Sequence, residues 1–349
     1  MFIEKKANYR RVNYALVMSF KLLIVFLLAL RLSLLPNDIF KDRINYLFSV
    51  VNSEIIFFDL LEKGWFSLLH EPLYKLTTYV LNLFFESETI LILYVFVNCL
   101  CVFSFIAFNR IKLSYSILAL LTLIITPYIF ASTLGAIQQG LGLNLILISL
   151  IRKDDIHSNK FAFALFLASL FHVIFYVFLG IVFFYRIVKI YIRGEVVPFF
   201  FTSLFIVLIG FLWSVVTPYL NESQSYADFQ KTTSGITFIG WASIFILFFY
   251  NFINMKKKKI VFNKSIYILA IYCFLCFLVF YWLAPGPYRV LYSAIPLVVY
   301  SLFSNLNKLS AICIVLLVLY SLILHSVDAG AGSLNISFID FVYRVLLLR

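Results

Sequence analysis

The chain has 349 residues, 63% of them hydrophobic and 13% charged, with a formal net charge of +12 at pH 7 and a mean hydropathy of +1.01. Those values exclude an ordinary water-soluble enzyme and describe a polytopic membrane protein. The basic excess needs no nucleic-acid partner, because Lys and Arg collect in the cytoplasmic loops of such proteins.

The N-terminus is basic (Lys5, Lys6, Arg10, Arg11). Its apolar stretch is too long for a signal peptide and no small-residue cleavage site follows, so residues 14–35 read as a retained first span. Residues 36–89 read as a long outer loop with two interfacial helices. In "FKDRINYLFSVVNSEIIFFDLLEKGW", Ile44, Leu47, Phe48, Val51 and Ile55 form a helical stripe with a polar opposite face. "HEPLYKLTTYVLNLFF" then opens on Pro72, favoured in a first helical turn, and carries Lys75, Thr78 and Asn82 on one side.

Further spans are expected at 90–108, 113–130, 137–151, 160–171, 173–189, 197–217, 237–254, 265–284, 288–303 and 309–325, with a second outer loop at 218–236. The reading is an all-α polytopic membrane protein of about 11 transmembrane helices (about 10 to 12), a single integral membrane domain over residues 1–349. With the N-terminus cytoplasmic, "NRIK", "RKDDIHSNK", "RIVKIYIRGE" and "MKKKK" all fall inside. That holds only if residues 161–185 are broken near His172, which puts Arg152 and Lys153 on the same side as Arg186, Lys189 and Arg193. Short or broken helices are tolerated in a membrane where protein buries them or they line a wet cavity.

The five cysteines all lie within spans, so the "CFLC" spacing of Cys273 and Cys276 reads as packing. "GAIQQGLG" lacks the lysine of a phosphate-cradling loop, which excludes cytosolic nucleotide as donor. The outer face shows no Asp-x-Asp pair and no cluster with ligand spacing, so neither a metal nor a cofactor is expected.

The unusual polar residues fall on one side of this topology. Asp42, Arg43, Tyr46 and Glu71 belong to the first outer loop; Gln138 and Gln139 start a span after an outer turn; His172 stands at the outer break; Arg289 and Tyr292 follow an outer Pro-Gly-Pro corner. Singly, each has a plain role: a histidine bonded to backbone, a snorkelling arginine, carboxylate caps, glutamines joining helices beside Gly140 and Gly142. Together, a cation, carboxylates and an imidazole at similar depth suggest an anionic ligand at the outer leaflet.

These residues resemble the EpsG-like branch of Wzy-type O-antigen and exopolysaccharide polymerases. The resemblance rests on Asp42 and Tyr46, "EPLY", "AIQQGLGLNLILISLI", "KFAFALFLASLFH" ending at His172, and "YRVLYS", and it spans nearly the whole chain. One departure is that the family shows Arg-Gln where this chain has Gln138-Gln139; Arg43 and Arg31 are the cations at hand to make up the charge.

The resemblance implies an enzyme of the bacterial inner membrane that transfers a growing glycan from undecaprenyl diphosphate to a lipid-linked repeat unit at the periplasmic face. It implies a general base drawn from Asp42, Glu71 or His172. Arg289 and Tyr292, with Gln138, Gln139, Arg43 and Tyr46, would bind the diphosphate and substrate. Undecaprenyl-diphosphate-linked oligosaccharides and the lipid bilayer are the partners expected, with room for a chain-length-regulating membrane protein and none for nucleic acid. A lipid-linked oligosaccharide flippase and a periplasmic acyl- or glycosyltransferase using a lipid-linked donor are the alternatives.

The topology generates the first prediction. Reporter fusions after Lys259 and within "RKDDIHSNK" should read as cytoplasmic, and a fusion after Glu222 as periplasmic. An external signal at Lys256 to Lys259 overturns the arrangement.

Overall fold

The computed structural model describes residues 2–40, 42–108, 112–126, 131–192, 194, 196–220, 235–260, 262–283, 288–326, 334 and 336–347. Most of the second outer loop, with Asp228 and the fusion point after Glu222, lies outside the described residues, as do Arg110 and the Pro285-Gly286-Pro287 corner. Among the described residues the chain is helical, without strands beyond one isolated bridge between Phe40 and Leu334.

In chain order the helices are α1 (Phe2–Ser33), α2 (Arg43–Val51), α3 (Ser53–Glu62), α4 (Pro72–Asn82), α5 (Ser87–Ala107), α6 (Leu113–Ile125), α7 (Ile137–Ile151), α8 (Asn159–Phe171), α9 (Ile174–Tyr191), α10 (Val196–Leu220), α11 (Gly235–Lys257), α12 (Lys264–Leu283), α13 (Tyr288–Ser304), α14 (Lys308–Ser326) and α15 (Phe338–Leu347). Six are long and apolar enough to cross a membrane, in α1, α5, α9, α11, α12 and α14. Five shorter apolar helices, in α6, α7, α8, α10 and α13, complete the set, so each expected span coincides with a helix.

The first loop folds as its pattern requires. α2 and α3 meet at an angle of 76° at Asn52, and Ile44, Phe48, Val51 and Ile55 are exposed on the surface. An apolar stripe left uncovered by protein is what a helix lying at the membrane boundary presents to lipid. The opposite side of α2 packs inward through Arg43 and Val50.

Polar bonding gathers at the basic end of the helix bundle and around the helix breaks. At the basic end, Arg186 donates to the carbonyls of Ile156 at 2.6 Å and Ser158 at 2.5 Å, Ser265 donates to Asp155 at 2.9 Å, and Asn251 donates to Ser310 at 3.0 Å. Further polar side chains serve the helix breaks. Asn98, midway along α5, donates to the carbonyls of Thr133 at 3.5 Å and Ile137 at 3.3 Å and accepts from Asn144 at 2.8 Å. It thereby serves peptide groups released where the chain turns into α7.

Arg43, expected among the substrate-binding residues, does similar work in this structure. It is 1% exposed. Its guanidinium donates to Leu134 O at 3.0 Å, Leu35 O at 2.8 Å and Leu32 O at 3.5 Å, and it stacks 4.1 Å from the Phe40 ring centroid. The planar fork is spent on three backbone carbonyls and an aromatic face. Arg31 is likewise occupied, donating to the carbonyls of Arg344 and Val345 in α15. Phe341 of α15 in turn packs edge-on against Phe40, at 6.3 Å between ring centroids. Cys273 and Cys276 are buried and free, packed among the aromatic side chains of α12 as the spacing alone allows.

α7, α8 and α9 approach closely at Gly142. A Cβ there would collide with the Phe175 ring and come within 2.9 Å of the Ala168 carbonyl oxygen, which already accepts the His172 N–H at 3.1 Å. Gly142→Ala should therefore destabilise the bundle by about 1–3 kcal/mol, lowering the thermal midpoint of the purified protein by several degrees. Gly180→Ala, whose Cβ would meet only Ile209 at 3.9 Å, should leave the midpoint unchanged.

Candidate functional site

The site begins with a backbone irregularity. Glu71 stands at the N-cap of α4 with φ 57 and ψ 51, a left-handed conformation, immediately before Pro72. Left-handed backbone is unfavourable for a side chain of this type, and a residue preceding proline prefers extended geometry, so the position stores strain on both counts. Despite its place at a helix start, the carboxylate caps nothing. It is aimed elsewhere.

His172 is one of the groups it faces. The chain leaves α8 at His172 in extended conformation, φ −156 and ψ 130, and the ring Nδ1 accepts the N–H of Ile174 at 3.2 Å. That bond satisfies an orphan donor at the start of α9. It also leaves the neutral ring's proton on Nε2, which lies 3.7 Å from Glu71 Oε1. This is ion-pair range if the ring is charged and too long for a hydrogen bond. The His172 side chain is 4% exposed and that of Glu71 20%.

Arg289 supplies the charge, one residue into α13. Its charge acts on Glu71, His172 and Tyr46, groups from three other segments. Its backbone is held by Gln139, whose Nε2 donates to the Arg289 carbonyl and, at 3.0 Å, to Ser293 Oγ. Gln139 is therefore a tie between α7 and α13, fully buried. Gln138, half-buried, presents its backbone to Tyr46.

Of the residues singled out in the sequence, Glu71, His172, Arg289, Tyr46 and Gln138 come together. Asp42 is exposed at the start of α2 and reaches the group only through its field on Tyr46. Tyr292 sits three residues beyond Arg289, half-buried against the apolar core. Arg43 and Arg31 are engaged with carbonyls as described. Lys75 was missed as a neighbour of Glu71; its charge acts on that carboxylate, and the four-residue spacing on one helix was the available signal. Tyr74, packed edge-on against Tyr46 at 6.2 Å, had no such signal. Neither did Lys21, a buried ammonium in α1 that donates to Ala107 O at 2.9 Å.

Burial raises the Glu71 carboxyl, opposed by Arg289 and then Lys75, and the balance leaves it at about 7. The arrangement offers a carboxylate that exchanges its proton near neutrality within the field of a guanidinium suited to anionic oxygens.

Compared with known protein families, the chain matches the EpsG family over residues 52–340. It finds no match among curated proteins or solved structures.

The carboxyl of Glu71 should titrate near pH 7 rather than 4.5. Infrared difference spectra should show a protonated carboxyl band that disappears as pH rises through that value and is missing in Glu71→Gln. Because Arg289 favours the charged form, Arg289→Ala should move the midpoint upward. A midpoint that stays put or falls in that variant contradicts the assignment.

Proposed function

The chain belongs to the EpsG family of exopolysaccharide-polymerase-like membrane proteins, and from that premise we propose that it is the polymerase of a lipid-linked glycan. It transfers the growing chain from undecaprenyl diphosphate to an incoming lipid-linked repeat unit, at the periplasmic face of the bacterial inner membrane, with its N-terminus in the cytoplasm. The observation that supports this most is the convergence of Glu71, His172 and Arg289, from three separate breaks between helices, on one end of the bundle.

In the proposed step, the Glu71 carboxylate takes the proton from a hydroxyl of the acceptor sugar, and that oxygen bonds to the anomeric carbon of the donor glycan. The bond from that carbon to the diphosphate breaks, and the electron pair leaves on the diphosphate oxygen. A diphosphate is already a weak base, so it needs charge stabilisation more than a proton, and the Arg289 fork provides this by paired N–H donation. The lipid diphosphate is itself the activated donor; the step calls on neither a nucleotide nor a metal.

Among the three candidate bases, geometry favours Glu71. His172 lends its Nδ1 to the Ile174 N–H and keeps its Nε2 3.7 Å from the carboxylate, whereas Asp42 is exposed at the edge. One base suffices here, unlike a glycosidase with its two carboxylates.

Arg289→Ala should reduce polymerisation by roughly 100-fold or more, and Arg289→Lys should also be severely impaired, since lysine keeps the charge and loses the planar fork. Surface glycan chain length, compared at matched membrane levels, checks both. Single capped units are expected. A normal ladder from the lysine variant removes Arg289 from the site, and loss of all surface glycan points to a flippase instead.

A further inference from the structure

Gln139 is expected from the sequence among the groups that bind substrate, and its surroundings give it a different task. The residue is 0% exposed. Its Nε2 carries two N–H groups, and both are engaged on α13: one donates to the Arg289 carbonyl, the other to Ser293 Oγ at 3.0 Å. A backbone carbonyl only accepts, so this pairing fixes which way round the amide stands. Ser293, 1% exposed, lies four residues beyond Arg289, the spacing of neighbours on one face of a helix. The amide therefore grips the first turn of α13 at two points. Enclosed by protein, it has no surface to offer a ligand.

Gln139 is firmly mounted. It follows closely on the start of α7 at Ile137, and the entry to that helix is pinned from two sides. Asn98 of α5 donates to the carbonyls of Thr133 and Ile137 and accepts from Asn144, farther along α7, at 2.8 Å. Arg43 of α2 donates to the carbonyl of Leu134. Arg289, by contrast, stands one residue into α13, and helix ends fray where nothing ties them down. The bond from Gln139 supplies that tie at the residue whose guanidinium matters.

We propose that Gln139 is a positioning residue: through its bonds to Arg289 O and Ser293 Oγ it sets where the Arg289 guanidinium stands relative to Glu71, without touching substrate itself. In the polymerase reading, on which the turnover arm of the test rests, this holds the diphosphate clamp in register with the base. The Glu71 carboxyl reports on the placement directly. Its charged and titratable neighbours are Arg289 and Lys75, which favour its ionised form, His172, with Nε2 3.7 Å away, and Tyr46. Of these, the one that Gln139 bonds is Arg289.

Gln139→Met keeps the length and bulk of the side chain and removes both N–H donors. In full-length protein in lipid nanodiscs, this variant should raise the infrared midpoint of the Glu71 carboxyl by about half a pH unit or more, since a close cation favours the charged form by about 1–3 units and part of that is lost. In an Arg289→Ala background the same substitution should add nothing. With lipid-linked repeat unit extracted from cells lacking this chain as substrate, kcat should fall about 10- to 100-fold while the acceptor KM stays within about twofold. Should Gln139→Met fail to insert, Gln139→Asn, whose amide is drawn back by one bond of about 1.5 Å, serves for the same comparisons. An unchanged or lowered midpoint overturns the inference, and so does a rise of equal size in the Arg289→Ala background, which shows Gln139 acting by another route. A raised KM with an unchanged midpoint also overturns it and makes Gln139 a substrate contact. A wild-type protein that forms no polymer from this substrate sinks the polymerase reading instead, and the titration alone then decides whether Gln139 positions Arg289.

Discussion

A peptide group released inside a bilayer has no water to bond, so every interruption of a helix there must be completed by another part of the protein. Much of this molecule follows from meeting that demand. Arg43 completes the carbonyls at the end of α1 and before α7; Asn98 completes those at the entry to α7; His172 completes the first donor of α9; Gln139 bonds the start of α13. The breaks cluster at one end of the bundle, and the polar side chains that serve them bring the candidate site into being at the same end. The bonding that completes the breaks and the candidate site use neighbouring residues, and His172 belongs to both.

The electrostatics of the site express a balance rather than a simple ion pair. Burial works against the Glu71 charge while Arg289 and Lys75 work for it, and the outcome is a carboxyl near neutrality. A fully exposed carboxylate would be too weak a base for a hydroxyl, and one buried without a cation would stay protonated. Arg43 shows the contrast. Among the described residues it bonds backbone carbonyls and has a phenyl ring beneath it, a cation engaged through its geometry.

Much of this was legible in the sequence, because the membrane imposes rules that composition obeys. Apolar run lengths located the spans. The balance of basic residues at 152–153 and 186–193 required the break at His172, which the structure shows between α8 and α9. The amphipathic stripe of α2 announced a surface helix.

What the sequence could not show is how a polar group is spent. Arg43 and Arg289 look alike in the sequence as basic residues expected on the same side of the membrane, and only the positions of distant carbonyls separate a clamp on backbone from a cation whose charge acts on a carboxylate and an imidazole. Gln138 and Gln139 are adjacent, yet a rotation of about 100° along the helix sends one to the site's edge and the other into the seam between α7 and α13.

The contact of α15 with the first loop bears on how the protein is made. Arg31 reaches across to the last turn of α15, and Phe341 of that helix packs against Phe40, on whose ring the Arg43 guanidinium rests. Of all the described helices, α15 leaves the ribosome last. Until it docks, Phe40 lacks its backing, and through Arg43 so does the turn that carries Gln138 and Gln139. Insertion into the membrane can proceed helix by helix in chain order, but α15 must meet α1 and Phe40 before this contact is finished. The order of synthesis thereby delays completion of the site until the transmembrane helices have already been laid down.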